Sequence, residues 1–361
     1  MLNTTTPTGA VLNIPETLEE DTVYFRPDDF AGACEFYGTQ GYVVLRDLIP
    51  ADLCARARAS FDASVRASPI PILRQKNMRY ERNALDADGF LSNPIFNVQD
   101  LGSRSLGGFR DAVLDILTHR ATAAATAALL STERTKLIQS MFFEAPAGTW
   151  AHQDRYYQDS AAELGGCVAG WFALEDIDAG AGRFYVCPGS HQAIPLLRNA
   201  GAHNFATGHQ AYQQAMLEAI RSNGFACAAP FLAAGDVLFW NSLTVHGSLP
   251  SSRPGVSRSS LTAHYLREGD AGLQFHSRIR GQAMRLHGGM KVGLLHDQDA
   301  LMNRVVREAA FHFPKSYATA RRIALRALII RRSLQQALHV DRQETPAAVL
   351  EGGLAAEAAP P

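Results

Sequence analysis

The sequence predicts an α+β fold: a core of short strands, of sandwich or barrel type with jelly rolls among the options, braced by helices before and after it. Three observations predict this. Between Thr135 and about Leu266 the chain runs as short strand-like stretches cut by Gly, Pro and Asp, the spacing of an all-β core. On either side, apolar residues recur at helical intervals. Finally, 47% of the 361 residues are hydrophobic and 19% charged, which is enough apolar material to bury a sizeable core.

The elements follow in order. The Thr/Pro-rich, then acidic, residues 1–22 are expected to form a flexible segment. A helical pattern from Asp28 leads into "GYVVLRDLI", whose β-branched run reads as a strand. Next, "PADLCARARASFDASVRA" reads as a helix with Pro50 near its start. Residues 70–104, including "RQKNMRYERN" and "NPIFNVQD", have no clean period and read as surface loop or as the wall of a pocket. An alanine-rich helix is expected over roughly 106–130. The strand block includes "KLIQSMFFEAP", "TWAHQDRYY", "CVAGWFALED", "GRFYVCPGS", "GDVLFW", "LTVHGS" and "RSSLTAHYL", with a helical insert near 208–223. After Arg267 the pattern is helical again, near 299–312 and 316–339, and the Ala/Pro/Gly-rich 341–361 reads as a disordered tail. The strand block is hard to split. One domain over 23–340 is therefore expected, with its β core at about 135–266 and a helical extension at about 267–340.

Composition narrows the function. Lys and Arg total 34 against 35 acids, so no charge bias points to nucleic acid or membrane. The five cysteines are scattered and lack a Cys-x-x-Cys pair, which argues against a disulfide framework or thiolate metal site and for a reducing compartment. No secretory signal and no apolar run near the ~18 residues of a membrane span is found. A cytoplasmic protein is expected. No phosphate-binding glycine loop is present. The segment 315–339 holds six basic residues and no acid. It either packs its Ile/Leu stripe on its own domain with the arginines in water, or docks on an acidic partner or an anionic membrane surface.

The chemistry lies in "GTWAHQDRYYQ". His152 and Asp154, two apart, share a face of an extended segment. An imidazole and a carboxylate facing one way can chelate a metal, given a third ligand. The strand-like "GDVLFWNSLTVHGSLP" offers His246. Two histidines and one carboxylate form the facial triad of non-haem iron oxygenases, which leaves positions open for co-substrate and oxygen. An anionic chelator then needs a counter-charge. In "RSSLTAHYL", Arg258, Ser260, Thr262 and His264 share one face while Leu261 and Tyr265 share the other. Arg258 can pair bidentately with a carboxylate, and Ser260 can add a hydroxyl. Arg253, in the turn "PSSRPG", is the alternative anchor. His191 and His264 read as loop and lining or core residues rather than ligands. Gln153, Arg155, Tyr156 and Tyr157, with "RQKNMRYERN", read either as substrate-facing or as solvated surface.

At these residues the chain resembles a known family. "HQD", "GWFALEDID", "GRFYVCPGSHQ", "AAGDVLFWNSLTVHGSLP" and "RSSLTAHYL", in that order, look like the phytanoyl-CoA dioxygenase family, over roughly 30–266 and most strongly 137–266. The resemblance implies a double-stranded β-helix (jelly-roll) core and a dioxygenase using Fe(II), 2-oxoglutarate and O2. His152, Asp154 and His246 are then the iron ligands and Arg258 the 2-oxoglutarate anchor. Gln139 matches a glutamine near the co-substrate in several members, and Trp171 a core aromatic. The implied reaction oxidises a small molecule in specialised or lipid-related metabolism, most simply by hydroxylation, while 2-oxoglutarate becomes succinate and CO2. Desaturation, epoxidation, ring closure or a non-catalytic metal-binding role are the alternatives. Three departures stand out: Ala181-Gly182 and Pro250-Ser251 replace Asn-Gly and Pro-Asn pairs of many members, and the region after Arg267 exceeds the family core. Asp154 is retained where halogenating relatives have a small residue, which favours oxidation over halogenation.

Overall fold

The computed structural model describes residues 1–6, 8–145, 148–194, 205–272 and 282–340, so the tail expected at 341–361 lies outside the described residues. Along the chain the elements are β1 (Leu2–Thr5), β2 (Val11–Ile14), α1 (Phe30–Gln40), β3 (Tyr42–Leu45), α2 (Ala51–Ser64), β4 (Ile72–Leu73), β5 (Tyr80–Glu81), β6 (Ile95–Phe96), α3 (Ser103–Leu117) and α4 (Arg120–Leu129). The strand block follows: β7 (Thr135–Phe143), β8 (Thr149–His152), β9 (Cys167–Ala173), β10 (Phe184–Val186), α5 (Ser190–Ala193), α6 (Phe205–Asn223), β11 (Ala226–Ala228), β12 (Val237–Asn241), β13 (His246–Ser248) and β14 (Ser260–Arg267). Last come β15 (Ala283–His287), β16 (Met290–Leu294), α7 (Leu301–His312) and α8 (Pro314–Val340). By contacts the chain divides into two compact units, Met1–Phe311 and His312–Pro361.

The fold is mixed α/β with several sheets. The larger runs β15-β16-β7-β14-β9-β12-β3, with β6 also on β7; the smaller runs β1-β2-β11-β10-β13-β8; β4 and β5 form a separate pair. Two-residue alternation decides what each face of the larger sheet does. Val43, Leu45, Val168, Phe172, Val237, Phe239, Leu261, Ala263 and Tyr265 turn outward onto the helices, in one core with Phe61 of α2 and Phe109 of α3. Their neighbours Tyr42, Val44, Ala169, Trp171, Leu238 and Trp240 turn inward and meet Phe184 and Val186 of the smaller sheet. The inward face of β14 carries Thr262 and His264 instead, and there a cavity opens between the sheets.

The Gly-Asp before "VLFW" belongs to this framework. Asp236 and Asp21 hold the buried Arg46 guanidinium at 2.6 and 2.8 Å, and Asp236 also accepts the amides of Asp47 (3.0 Å) and Ala233 (2.8 Å). Two acids from distant points of the chain thus fix the exit of β3.

Three expectations are corrected. Residues 1–22, expected to be flexible, contain the β1–β2 hairpin: alternation in "VLNI" buries Leu12 and Ile14, and β2 pairs in parallel with β11. The helix expected over 106–130 is two, because the Thr118 hydroxyl bonds back to the Leu114 carbonyl and His119 caps the next helix at the Ala121 amide. The extension expected to be helical opens with the β15–β16 hairpin, whose turn is Gly288-Gly289, both at positive φ, and β16 adds in parallel to β7. Within the second unit, α8 spans the expected basic segment, with Ile323 and Ile330 exposed. Among the described residues no helix is long and apolar enough to cross a membrane.

Removing one acid of the Arg46 cluster leaves a buried cation short of a partner. Asp236→Ala is expected to cost about 3–5 kcal/mol in urea unfolding. Asp47→Ala, which breaks only the exposed pair with Arg26, should cost no more than about 1 kcal/mol.

Candidate active site

Two strand ends of the smaller sheet create the site. In the antiparallel pair β8–β13, His152 and His246 are direct cross-strand partners, and their ring centroids lie 4.3 Å apart. Beyond His152 the chain stays extended through Gln153 and then turns, so Asp154 opens a short 3-10 turn beside both rings. One ligand-type atom from each of His152, Asp154 and His246 lies within 4.8 Å of the others. Asp154 Oδ1 is the oxygen that faces the rings, at 3.8 Å from His152 Nε2 and 3.5 Å from His246 Nε2.

The backbone selects the tautomers. His152 Nδ1 donates to the Trp150 carbonyl and His246 Nδ1 to the Thr244 carbonyl, each at 2.9 Å. A proton held on Nδ1 leaves the Nε2 lone pair free for a metal. Two imidazoles and one carboxylate on one side of a cavity suit a first-row divalent metal with open positions.

Burial and mutual proximity set the charges. Desolvation, with His246 alongside, pulls the His152 pKa down to about 4. Burial alone would raise the Asp154 carboxyl, but the His246 and His264 imidazoles and their hydrogen bonds outweigh it and hold it well below the usual carboxylate range. The pair is therefore set as neutral imidazole and carboxylate, the forms a metal binds.

The cavity has a volume of about 70 Å³, room for several waters at roughly 10–15 Å³ each. Aromatic Phe143, Trp171, Phe184 and Trp240 form much of its wall, with Met141, Thr149, Ser248 and Thr262. Gln75 also lines it, which makes part of the aperiodic 70–104 stretch a wall.

Of the two candidate anchors, the structure brings Arg258 to this cavity and not Arg253. Arg258 is buried, donates to the Gly182 carbonyl, and burial lowers its pKa to about 10, so it keeps its charge at neutral pH. Gly182 stands at φ +68°, where a Cβ would lie 2.3 Å from the Leu249 carbonyl, so the Ala181-Gly182 pair preserves the glycine this bend needs. Arg253 is exposed and paired with Asp178.

The remaining expected residues divide. Trp171 is in the wall. Gln139, half-buried, stands opposite His264 in register on the strand that supplies Met141 and Phe143, but is not in the lining. Ser260 is buried and its hydroxyl donates to the Arg258 carbonyl at 3.1 Å, turned to the backbone rather than the cavity. His191 bonds the Gly38 carbonyl at 3.2 Å, away from the triad. Gln153 is buried on the Leu243 carbonyl (2.6 Å) and Arg155 on Asp159 and Ser160 (3.2 Å each), so both hold the loop. Tyr157 meets His152 edge-on at 5.6 Å; the Tyr156 side chain lies outside the described residues. Two contacts to Asp154 escaped the sequence reading, which had His264 only as a lining or core residue. Trp240 Nε1 donates to Asp154 Oδ2 at 2.8 Å, and His264 Nε2 meets the same oxygen at 3.2 Å.

The site is that of a non-haem iron, 2-oxoglutarate-dependent oxidoreductase. Residues 37–259 match the phytanoyl-CoA dioxygenase family, and the chain belongs to that family. Among solved structures, the fold is similar to the non-haem alpha-ketoglutarate-dependent epimerase SnoN from nogalamycin biosynthesis, at 18% identity and TM-score 0.51 over 74% of this chain and 99% of that one. Also similar are the carbocyclase SnoK from nogalamycin biosynthesis (16%, TM-score 0.49, 69% and 88% covered) and apo EctD from S. alaskensis (18%, TM-score 0.47, 78% and 95% covered). No curated protein matches the sequence.

Acid should loosen the metal-free protein through His152. The folded state keeps this imidazole neutral to about pH 4, whereas the unfolded chain takes up the proton near 6.5, so stability falls as pH drops through that window. His152→Gln is expected to flatten the slope of unfolding free energy against pH by up to about 1.4 kcal/mol per unit between those values, as measured by urea titrations at a series of pH values.

Proposed function

We propose that this chain is an Fe(II)- and 2-oxoglutarate-dependent dioxygenase that hydroxylates a small molecule with release of succinate and CO2. In this reading His152, Asp154 and His246 hold the iron, and Arg258 pairs with the far carboxylate of 2-oxoglutarate. The two facing sheets are read as a double-stranded β-helix, with the metal site at one end of the smaller sheet. The observation that carries the proposal is the convergence of two Nε2 atoms, both with Nδ1 bonded to backbone, on one oxygen of Asp154.

When bound, iron and 2-oxoglutarate supply the oxidising power by activating O2. The protein's own residues do the rest. Arg258 stays cationic in a buried wall, where a charge-assisted, two-point hydrogen bond to a carboxylate is strong and directional. Ser260 serves the anchor by bonding its backbone rather than the acid itself. Trp171, Phe184 and Phe143 exclude water from the reacting atoms. Asp154 keeps its carboxylate where a halogenating site would lack one, which supports oxygen insertion. Desaturation, epoxidation and ring closure draw on the same oxidant, and product mass separates them from hydroxylation.

The test is decarboxylation of 2-oxoglutarate under Fe(II) and air, read as succinate. His152→Ala is expected to abolish it. Arg258→Ala should raise the 2-oxoglutarate KM by about 10–100-fold, the loss of a hydrogen bond to a charge worth roughly 1.5–3 kcal/mol, and Arg253→Ala should leave it unchanged. Iron-dependent succinate formation by His152→Ala would overturn the ligand assignment. An unchanged KM in Arg258→Ala would overturn the anchor.

A further inference from the structure

A third histidine faces the cavity and has no place among three ligands, yet it is as buried as they are. We propose that His264 and Trp240 together clamp the outer oxygen of Asp154, so that this carboxylate meets a bound metal through Oδ1 alone. The proposal rests on the ligand reading above and adds two positioning residues to it.

The two oxygens of Asp154 have different surroundings. Oδ2 receives the indole Nε1–H of Trp240 at 2.8 Å and the Nε2–H of His264 at 3.2 Å. Oδ1 faces the Nε2 atoms of His152 and His246. A carboxylate oxygen offers about two lone-pair sites, and both on Oδ2 have a donor. Trp240 and His264 are 1% and 3% exposed, so both donors are fixed by packing. His264 donates from Nε2, which places its proton there. Its Nδ1 has no hydrogen-bond partner among the described residues, so its one contact of this kind is with Asp154.

The clamp and the ligands come from different sheets. Trp240 lies on β12, paired on both edges with β9 and β3, and His264 on β14, paired on both edges with β7 and β9. The ligand histidines lie on β8 and β13 of the smaller sheet. The larger sheet therefore reaches across the cavity to fix the carboxylate that the smaller sheet delivers. The consequence is chemical. A carboxylate free to turn can chelate through both oxygens and fill a position that a facial triad leaves for incoming ligands. With Oδ2 held by two N–H groups, that position stays open.

The test uses Co(II) as a spectroscopic metal in the full chain, read by its affinity and visible absorption. Trp240→Phe keeps the ring and loses the N–H; His264→Leu keeps the bulk and loses the donor; His264→Gln restores an N–H donor. Trp240→Phe and His264→Leu are each expected to weaken Co(II) binding by about tenfold or more and to shift the visible bands as the carboxylate turns. His264→Gln should recover the wild-type spectrum and most of the affinity. Unchanged affinity and spectrum in both donor-less variants would overturn the clamp. So would a His264→Gln protein as impaired as His264→Leu, because the residue would then be needed for packing alone. Wild-type protein that fails to bind Co(II), or His152→Ala that binds it normally, would instead sink the ligand reading itself.

Discussion

The antiparallel pairing of β8 with β13 is the interaction on which the site depends. It brings His152 opposite His246 although some ninety residues separate them, and each ring's Nδ1 bonds the carbonyl two residues before it. A slip of β8 by one residue would turn the His152 ring to the face opposite His246. That register is held from outside the pair. β13 is bonded on its other edge to β10, and β10 sends Phe184 and Val186 into the inter-sheet core with Trp171 and Trp240. Packing between the sheets and geometry at the metal site are thus one constraint.

The motifs around the triad divide into those that act and those that support. Arg258 faces the cavity, while the glycine that accepts from it, Gly182, needs a left-handed bend to do so. Asp236, equally prominent in the sequence, never reaches the site: it neutralises Arg46 and ties β3 to the turn before β12. That turn leads into the strand bearing Trp240, so the ion cluster acts on the site only through where it places a tryptophan.

The legibility of the sequence was uneven, for physical reasons. His152, Asp154 and His246 were readable because a two-residue spacing survives any strand geometry and because the motifs come in order. Arg258 was set apart from Arg253 because Arg253 lies in the turn "PSSRPG"; in the fold Arg258 is buried beside the cavity and Arg253 is exposed on Asp178. Trp240 and His264 were not readable as a pair. Their meeting at Asp154 depends on the lateral order of strands in the larger sheet, which no local pattern encodes. Alternation did place His264 on the inward face. The N-terminal hairpin was masked by a Thr/Pro-rich composition that outweighed the four-residue alternation of "VLNI". The hairpin after residue 282 carried its signal in the adjacent Gly288 and Gly289, but helical periodicity farther along dominated the reading.

The parallel seating of Val11–Ile14 against Ala226–Ala228 makes the beginning of the chain a selvedge for the smaller sheet. Stripped of it, the sheet would present a three-residue border to solvent, with unmet amides and carbonyls open to another molecule's strand. That fabric carries both histidines at its far side, so the covered margin and the metal-binding margin are opposite ends of one sheet.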